Sequence, residues 1–320
     1  MKLPVLKKFS LFLVFVSFLS FTKDNSGERI VFESDRLYPE GITFDEKREL
    51  IYLSSLTQGK ISSVDKLGNC KVVCDDPKLI STVGIKYNNR NGKLYATNGD
   101  MGMSTKSSDK TKQNLAQIAL INVATGKLEE TIDLSDLLPS KHLLNDLTID
   151  DEDNVYVTDS YGHAIYKIDK NKKKTIFSQS PLFKPDSNSL GLNGIAFHKN
   201  GFLLVAKSGE GSLLKISIKD PSKIEKVKLT EPLFWTDGIY FLNEKELVGV
   251  RNRFAKTVFL QSDNNWESAT IVKEEKATDL MPTTVTAYNG KVYVINSRLS
   301  ELRENKATSK QFVIDVYKSK

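Results

Sequence analysis

A phrase of about sixteen residues recurs six times after residue 28, and this repeat constrains the fold more than any other feature of the chain. Each copy begins with a residue that is usually polar and often followed by Gly. An alternating apolar stretch, a charged or Asn-Gly turn and a second apolar stretch follow. Period-two alternation rich in β-branched and aromatic residues is typical of β-hairpins rather than helices. The copies begin at Glu40, Val83, Asn145, Asn193, Asp237 and Thr283.

The spacing of the copies predicts the architecture. Successive copies begin 43, 62, 48, 44 and 46 residues apart, and a period of roughly 40 to 50 residues is that of a propeller blade. A third strand follows most copies, as in AQIALINV, and a fourth follows several, as in KKTIFSQ. The sequence therefore predicts an all-β fold, a six-bladed β-propeller of four-stranded blades. RIVFES near Arg29 and the C-terminal QFVIDVYK are expected to close the ring in the last blade.

The N-terminal segment and two insertions complete the predicted organisation. Residues 1–26 hold the basic start MKLPVLKK and an uncharged apolar run, which is typical of a secretory signal peptide. We expect export to the periplasm or the extracellular space and no stable membrane span in the mature chain, although an uncleaved anchor remains an alternative. The propeller then covers residues 27–320. Insertions near 100–114 and 135–144 are expected on the face of the ring where the six copies begin, where they would form a lid over Asn145.

Charge and cysteine content exclude several classes of function. The net charge is +6, but the densest basic run, KNKKK at 170–174, is interpreted as a hairpin turn. No basic stripe with interleaved aromatic residues is present, so a nucleic-acid partner is not expected. Cys70 and Cys74 are the only cysteines. On one strand their α-carbons would lie about 13 Å apart, so we expect packing rather than a disulfide unless a bulge or loop intervenes.

The first residues of the six copies are the candidate site. If each copy begins the innermost strand of a blade, these residues form one ring at one end of the central channel. Four of them, Glu40, Asn145, Asn193 and Asp237, offer carboxylate and amide oxygens. Two carboxylates about 5 Å apart repel by roughly 3 kcal/mol at an effective dielectric near 20, so one binds a proton or a cation lies between them. Oxygen ligands favour a divalent cation, Ca²⁺ ahead of Mg²⁺. The alternative is that Asn and Asp before Gly only start turns or strands.

Other side chains are placed by the same topology on the face that carries the ring, which we call the pocket face. Val83, Leu143, Thr283, Asp159 and Arg251 are predicted to line a substrate pocket there. Further pocket-face candidates are Lys207 and Glu210, for which exposed loop charge is the alternative. The three histidines divide into His142 and His163 on the pocket face and His198 in a far-side turn; surface loop positions are the commoner case for the first two.

The motifs YPEGITFD, LLNDLTIDDEDNVYVTDS, LGLNGIAF and WTDGIYF resemble those of the regucalcin (senescence marker protein) and gluconolactonase family of six-bladed propellers. The resemblance covers essentially the whole chain after the N-terminal segment. It implies Glu40, Asn193 and Asp237 as ligands of a divalent cation, usually calcium, with Asn145 as a ligand or substrate contact and Asp237 as general base. Many members hydrolyse sugar lactones. Leu143 stands where these lactonases often have an Arg, which points to a less polar substrate.

Two functions from different classes follow from these observations. The first is a divalent-metal-dependent hydrolase that acts on a lactone or related ester, with a small molecule as its partner and Asp237 as its catalytic residue. The second is a non-catalytic exported propeller that binds a small molecule or a protein and holds a structural metal. Binding of a divalent cation and open positions on it would favour the first.

Overall fold

The computed structural model describes residues 28–185, 190–278, 281–304 and 306–319, and nearly all of their regular structure is β-strand. The predicted signal segment, residues 1–26, lies outside the described residues. Within the four described ranges, no helix is long and apolar enough to cross a membrane. Helical structure in the described residues is limited to α1 (Leu299–Arg303) and to short 3-10 turns at Ser135–Leu137, Pro181–Phe183 and Asn252–Phe254.

The strands form six sheets, one for each copy of the sequence phrase. The first strand of the chain, β1 (Glu28–Glu33), belongs to the sixth blade. Blade 1 contains β2 (Ile42–Asp45), β3 (Leu50–Leu53), β4 (Ile61–Val64) and β5 (Cys70–Cys74). Blade 2 contains β6 (Ser81–Asn88), β7 (Lys93–Gly99), β8 (Ala116–Asn122) and β9 (Lys127–Asp133). Blade 3 contains β10 (Leu144–Ile149), β11 (Val155–Asp159), β12 (Ala164–Ile168) and β13 (Lys174–Gln179).

The second half of the ring repeats this arrangement. Blade 4 contains β14 (Leu192–His198), β15 (Phe202–Lys207), β16 (Ser212–Ser217) and β17 (Ile224–Lys226). The two-residue strand β18 (Lys228–Leu229) pairs in parallel with the outer edge of blade 5. Blade 5 itself contains β19 (Thr236–Phe241), β20 (Glu246–Arg251), β21 (Lys256–Gln261) and β22 (Ser268–Lys276). Blade 6 contains β23 (Pro282–Tyr288), β24 (Lys291–Asn296), β25 (Gln311–Lys318) and β1. The prediction of an all-β, six-bladed propeller is confirmed.

The core lies between successive blades. Each blade contacts the next through its innermost strand, in the closed order β2, β6, β10, β14, β19, β23 and back to β2. Apolar side chains of neighbouring blades pack together in each gap; Tyr52 and Ile61 of blade 1, for example, pack with Ile85 and Leu94 of blade 2. Both faces of every inner sheet region are therefore covered, which explains the apolar alternation of the repeated phrase.

Turns and ring closure also follow the sequence. The Asn-Gly turns at Asn91, Asn200 and Asn289 join the first and second strands of blades 2, 4 and 6, and their glycines all have positive φ. The N-terminal strand β1 pairs antiparallel with β25, with Ile30 opposite Ile314 and Phe32 opposite Phe312. The two ends of the described chain thus close the last blade, as the sequence predicts.

Both insertions join strands at the end of the ring where the inner strands begin. One connects β7 to β8 and the other connects β9 to β10. The backbone N–H of His142 donates to the carbonyl of Gln113 at 2.8 Å, so the two insertions contact each other. In β5, Cys70 and Cys74 are free thiols, the second of them buried.

Candidate functional site in the central channel

A β-bulge gives the ring residues their direction. Along β10, Leu144 pairs with Asp159 while Leu147 pairs with Val157, so this inner strand has one residue more than its partner between the two pairs. The same shift occurs in the inner strands of blades 2, 4, 5 and 6, each time at the first residues of the phrase. A bulge changes the direction in which the side chains at that point of the strand project. In blades 2 to 6, the first core-facing residues after the bulge are, in order, Ile85, Leu147, Ile195, Ile239 and Val285.

Close approach of neighbouring inner strands brings the ring residues together. Four of the six ring residues are followed by a glycine, and a Cβ on any of these glycines would overlap the next blade. The glycines do not form turns, since none of them has positive φ, and this disfavours the interpretation that the Asn-Gly and Asp-Gly pairs only start turns. The contacts are Gly41 with Val83, Gly84 with Asn145, Gly194 with Asp237, and Gly238 with Thr284. Thr283 Oγ1 completes the circle by donating to the Glu40 carbonyl at 2.8 Å.

Two copies depart from this rule: blade 6 has Thr284 in place of the glycine, and blade 3 has Asp146. Its carboxylate accepts the N–H of Leu147 at 2.8 Å and that of Ile195, in the next blade, at 3.3 Å. Burial raises the pKa of Asp146 to about 6, against the opposing effects of the Lys86 ammonium and the two N–H groups. Asp146 thus adds a third buried carboxyl group, which the sequence analysis did not include, to those of Glu40 and Asp237.

The three carboxyl groups repel one another in the channel. Burial, with the negative charges of Asp237 and Asp146, holds the pKa of Glu40 well above its usual range. Burial likewise raises the pKa of Asp237 to about 7, and the charge of Asp146 adds to this effect, whereas hydrogen bonds from Asn252 and Asn193 oppose it. Neutralisation of these groups by protons or by a cation would relieve the repulsion.

Amide groups support the carboxylates and leave oxygen atoms unused. Asn252 Nδ2 donates to Asp237 Oδ2 at 2.7 Å, and Asn145 Nδ2 donates to Ser160 Oγ at 3.1 Å. The Oδ1 atoms of Asn193 and Asn252 are buried, and neither has a hydrogen-bond partner in the described part of the chain. A buried amide oxygen that accepts no hydrogen bond from the protein is costly unless a cation or a water contacts it.

The donor set fits a hard cation. Glu40 and Asp237 offer carboxylate oxygens, and Asn193 offers its unpartnered amide oxygen. No group of three or more His, Cys, Asp or Glu side chains in the described part of the chain is arranged to hold a metal ion, and the amide oxygens of the ring would supplement its two carboxylates. Such mixed oxygen ligands suit Ca²⁺.

Beneath the ring, a lysine crosses the channel. Lys86 of blade 2 places Nζ 4.7 Å from the ring centroid of Tyr240 in the opposite blade 5. Burial lowers the pKa of Lys86, and the charge of Asp146 opposes this effect. The pair therefore forms a floor under the carboxyl groups.

Two residues predicted to line the pocket have structural partners. Asp159 is fully buried, and its carboxylate accepts hydrogen bonds from His142, Tyr166 and three backbone N–H groups. Arg251 is buried and forms ion pairs with Glu231 and Glu274. The polar atoms of Asp159 and Arg251 are thus occupied by partners within the protein, and the expectation that these two residues line a substrate pocket stays a prediction.

The remaining predicted residues lie at or beside the ring. Val83 and Thr283 are ring members, both buried, and Leu143 is buried one residue before β10. Lys207 forms an ion pair with Glu210 at the end of β15. That these residues line a substrate pocket stays a prediction.

The histidines have structural contacts. His142 Nδ1 lies 2.7 Å from Asp159 Oδ2, so this histidine has an orienting partner that the sequence analysis did not find. His198, on the far side, stacks on Phe202 with ring centroids 4.3 Å apart. Burial lowers the pKa of both His163 and His198.

Two functional neighbours of the ring were missed, and the repeat holds a signal for them. The sixteenth residue of the phrase is Ser or Asn in the first five copies: Ser55, Asn98, Ser160, Ser208 and Asn252. Two of these, Ser160 and Asn252, contact the ring residues Asn145 and Asp237. A polar residue that recurs at the end of an apolar strand marks the pocket face.

No protein-family model and no curated protein matches the sequence. Solved structures share the fold. The major allergen of Malassezia sympodialis is 18% identical with a TM-score of 0.72, over 90% of this chain and 95% of that one. A luciferin-regenerating enzyme is 13% identical with a TM-score of 0.63, over 90% of this chain and 95% of that one. A gluconolactonase from Xanthomonas campestris is 11% identical with a TM-score of 0.62, over 90% of this chain and 89% of that one. The resemblance to six-bladed propellers of the gluconolactonase type is therefore confirmed at the level of the fold.

Proposed function

We propose that this protein is an exported, divalent-cation-dependent hydrolase of a lactone or related ester. The observation that carries the proposal is the buried, unpartnered Oδ1 of Asn193 in the same ring as the carboxyl groups of Glu40 and Asp237. Glu40, Asn145, Asn193 and Asp237 would hold the cation, and Ca²⁺ suits their oxygen atoms best. The fold that the chain shares with a gluconolactonase supports the proposal without deciding it.

The side chains of the ring would have separate roles in the reaction. A bound divalent cation supplies polarisation of a carbonyl oxygen and a lowered pKa for a coordinated water. Asp237, held at Oδ2 by Asn252, would orient the attacking water and accept its proton. Asn145, fixed by Ser160, would position the substrate. The Lys86 and Tyr240 floor would limit water entry from the far end of the channel.

Cation binding is the first test. Isothermal calorimetry with Ca²⁺ on a chain lacking residues 1–26 should show saturable binding that Glu40→Gln and Asp237→Asn both reduce by at least about tenfold. Glu152→Gln, an exposed acid in the turn between β10 and β11, is the matched control and should change nothing. A lactone and ester panel is then assayed on the protein that binds.

The outcomes separate the two candidate functions. If Ca²⁺, Mg²⁺, Zn²⁺ and Mn²⁺ all fail to bind, the metal-dependent hydrolase is wrong. If a cation binds at the ring but no lactone or ester is hydrolysed, the cation is structural and the non-catalytic binding propeller is favoured. Hydrolysis that depends on both carboxylates establishes the enzyme.

A further inference from the structure

Aromatic and basic side chains cluster beside Asp237 on the pocket face of blade 5. Phe234 and Trp235 immediately precede β19, which contains Asp237, and Arg253 and Phe254 follow β20. The N–H of Asn252 donates to the Trp235 carbonyl at 3.0 Å and joins the two segments. We call Phe234, Trp235, Arg253 and Phe254 the aromatic rim. Because Asn252 also contacts the Asp237 carboxylate, the rim adjoins the proposed site directly.

The two arginines of this region differ in how their charge is used. Arg251 lies over the ring of Phe254, 4.6 Å from its centroid, and its guanidinium forms ion pairs with Glu231 and Glu274 at 3.4 and 3.7 Å. Arg253 lies over the ring of Trp235 at 3.5 Å. Among the described residues, no carboxylate is within ion-pair distance of Arg253, which is exposed. One stacked guanidinium therefore keeps its charge and its N–H donors available.

The backbone holds the rim in an unfavourable conformation. Trp235 has φ of 61°, a left-handed conformation that costs a bulky residue on the order of 1–3 kcal/mol. Hydrogen bonds from the Trp235 N–H to Ser208 and from Asn252 to the Trp235 carbonyl maintain it. Phe234 and Phe254 are 42% and 48% exposed, although large apolar side chains are usually covered. A stacked Trp-Arg pair flanked by two open phenyl groups is thus presented to solvent beside the ring.

We infer that the aromatic rim is a subsite for a carboxylate attached to an aromatic or flat apolar group. A guanidinium held flat on an indole presents its N–H groups in a fixed fork that suits a carboxylate, and exposed phenyl groups suit the ring that carries it. The inference rests on the proposed function in one respect: it makes the substrate an ester or lactone that contains such an acidic aromatic portion. Recognition by the rim needs no cation and can be measured separately.

A binding measurement tests the rim without catalysis. The chain has two tryptophans, and Trp266 is fully buried, so a fluorescence change on addition of benzoate reports Trp235. Saturable quenching is expected in the intact protein without added metal, weakened about tenfold by Arg253→Gln, and abolished by Trp235→Phe. Arg90→Gln, which changes an arginine of the far face paired with Asp153, is the matched control and should leave the titration unchanged.

A kinetic comparison tests the substrate class. Phenyl acetate and para-acetoxybenzoate differ by one carboxylate, and the ratio of their kcat/KM values in each variant cancels effects on folding. Arg253→Gln should lower kcat/KM for para-acetoxybenzoate by about tenfold or more and leave phenyl acetate within about twofold, with Arg253→Lys between them. Asp237→Asn should abolish hydrolysis of both esters.

The two proposals fail in different ways. Benzoate binding that requires Arg253, with no hydrolysis of any ester or lactone, supports the rim and overturns the hydrolase. Hydrolysis that requires Asp237, with benzoate titration and charge preference unaffected by Arg253→Gln, overturns the rim and leaves the hydrolase standing.

Discussion

The carboxamide of Asn252 is the side chain that most directly determines how Asp237 is presented. Its Nδ2 donates to Asp237 Oδ2 at 2.7 Å, while its own Oδ1 is buried without a partner. The contact joins the end of β20 to the bulge of β19 within one blade. If Asp237 binds a cation as proposed, loss of the group that orients its carboxylate should cost about 10- to 100-fold in affinity.

Removal of this support should weaken cation binding without unfolding the protein. We expect Asn252→Ala to lower Ca²⁺ affinity by about tenfold or more, since Asp237 Oδ2 loses the hydrogen bond from the Asn252 amide. Calorimetry measures the affinity, and thermal melting checks the fold. Asn200→Ala, an exposed far-side amide bonded to Asn265, is the control. Equal affinities for the two variants would contradict the role assigned to Asn252.

For individual residues, the repeat predicts which side chains form the ring but not which other side chains contact them. Glu40, Asn145, Asn193 and Asp237 share one position in the phrase, so topology alone brings them together. Asp146 was missed because four of the six copies have Gly there for close packing and a fifth has Thr284, so the position carries no repeat signal for a carboxylate. The His142–Asp159 contact was missed because it joins an insertion to a strand, and neither spacing nor alternation encodes such a contact.

Among the elements, the insertion between β9 and β10 depends on one histidine. His142 Nδ1 contacts Asp159 Oδ2 at 2.7 Å, and its backbone N–H donates to Gln113 of the other insertion. Burial alone would lower the pKa of His142. The hydrogen bond and charge of Asp159, with the carbonyls of Leu138 and Ser135, outweigh burial and raise it.

The raised pKa gives the stability of this region a definite dependence on pH. A group whose pKa is higher in the folded state stabilises it fully below its unfolded pKa, near 6.5, and the contribution is lost as pH rises through the folded value. His142→Asn should therefore cost about 2 kcal/mol near pH 6, and progressively less at higher pH. Urea unfolding of both proteins across this range measures the difference.

His198 provides a control, because its contribution to stability should depend on pH in the opposite direction to that of His142. Burial lowers the pKa of His198. Its contribution to the stability of the fold is therefore present above its pKa in the unfolded chain and is lost as pH falls. The cost of His198→Asn should therefore shrink on acidification. A His142→Asn penalty that does not change with pH, or that grows with rising pH, would show that the histidine is neutral in the folded protein.

The hairpins of the blades were predictable, whereas their bulges were not. Period-two alternation and Asn-Gly turns indicated the first and second strands, and the third strands, including Ala116–Asn122 and Ser212–Ser217, formed where expected. A bulge adds one residue without changing which residues are apolar, so the pattern of residue types does not reveal it. The two-residue strand β18 is set by contact with β22 and has no local signal.

For the whole molecule, closure depends on one strand from each end of the described chain. Strand β1 pairs with β25 over six residues, and its Ile30 and Phe32 are buried in the core cluster between blades 6 and 1. Phe32 lies beside Phe312, with ring centroids 5.9 Å apart. Without β1, the backbone of β25 becomes an exposed edge that another chain can pair with.

Deletion of β1 should thus open the ring at a single seam. A chain lacking residues 1–33 loses two buried apolar side chains, each worth about 2–5 kcal/mol, which together approach the whole stability of a typical domain. We expect a large drop in melting temperature and concentration-dependent association by light scattering. A chain lacking residues 1–27 keeps β1 and is the matched control. If both deletions melt alike as monomers, closure resides in the contacts between neighbouring inner strands, and β1 only covers an edge that is already stable.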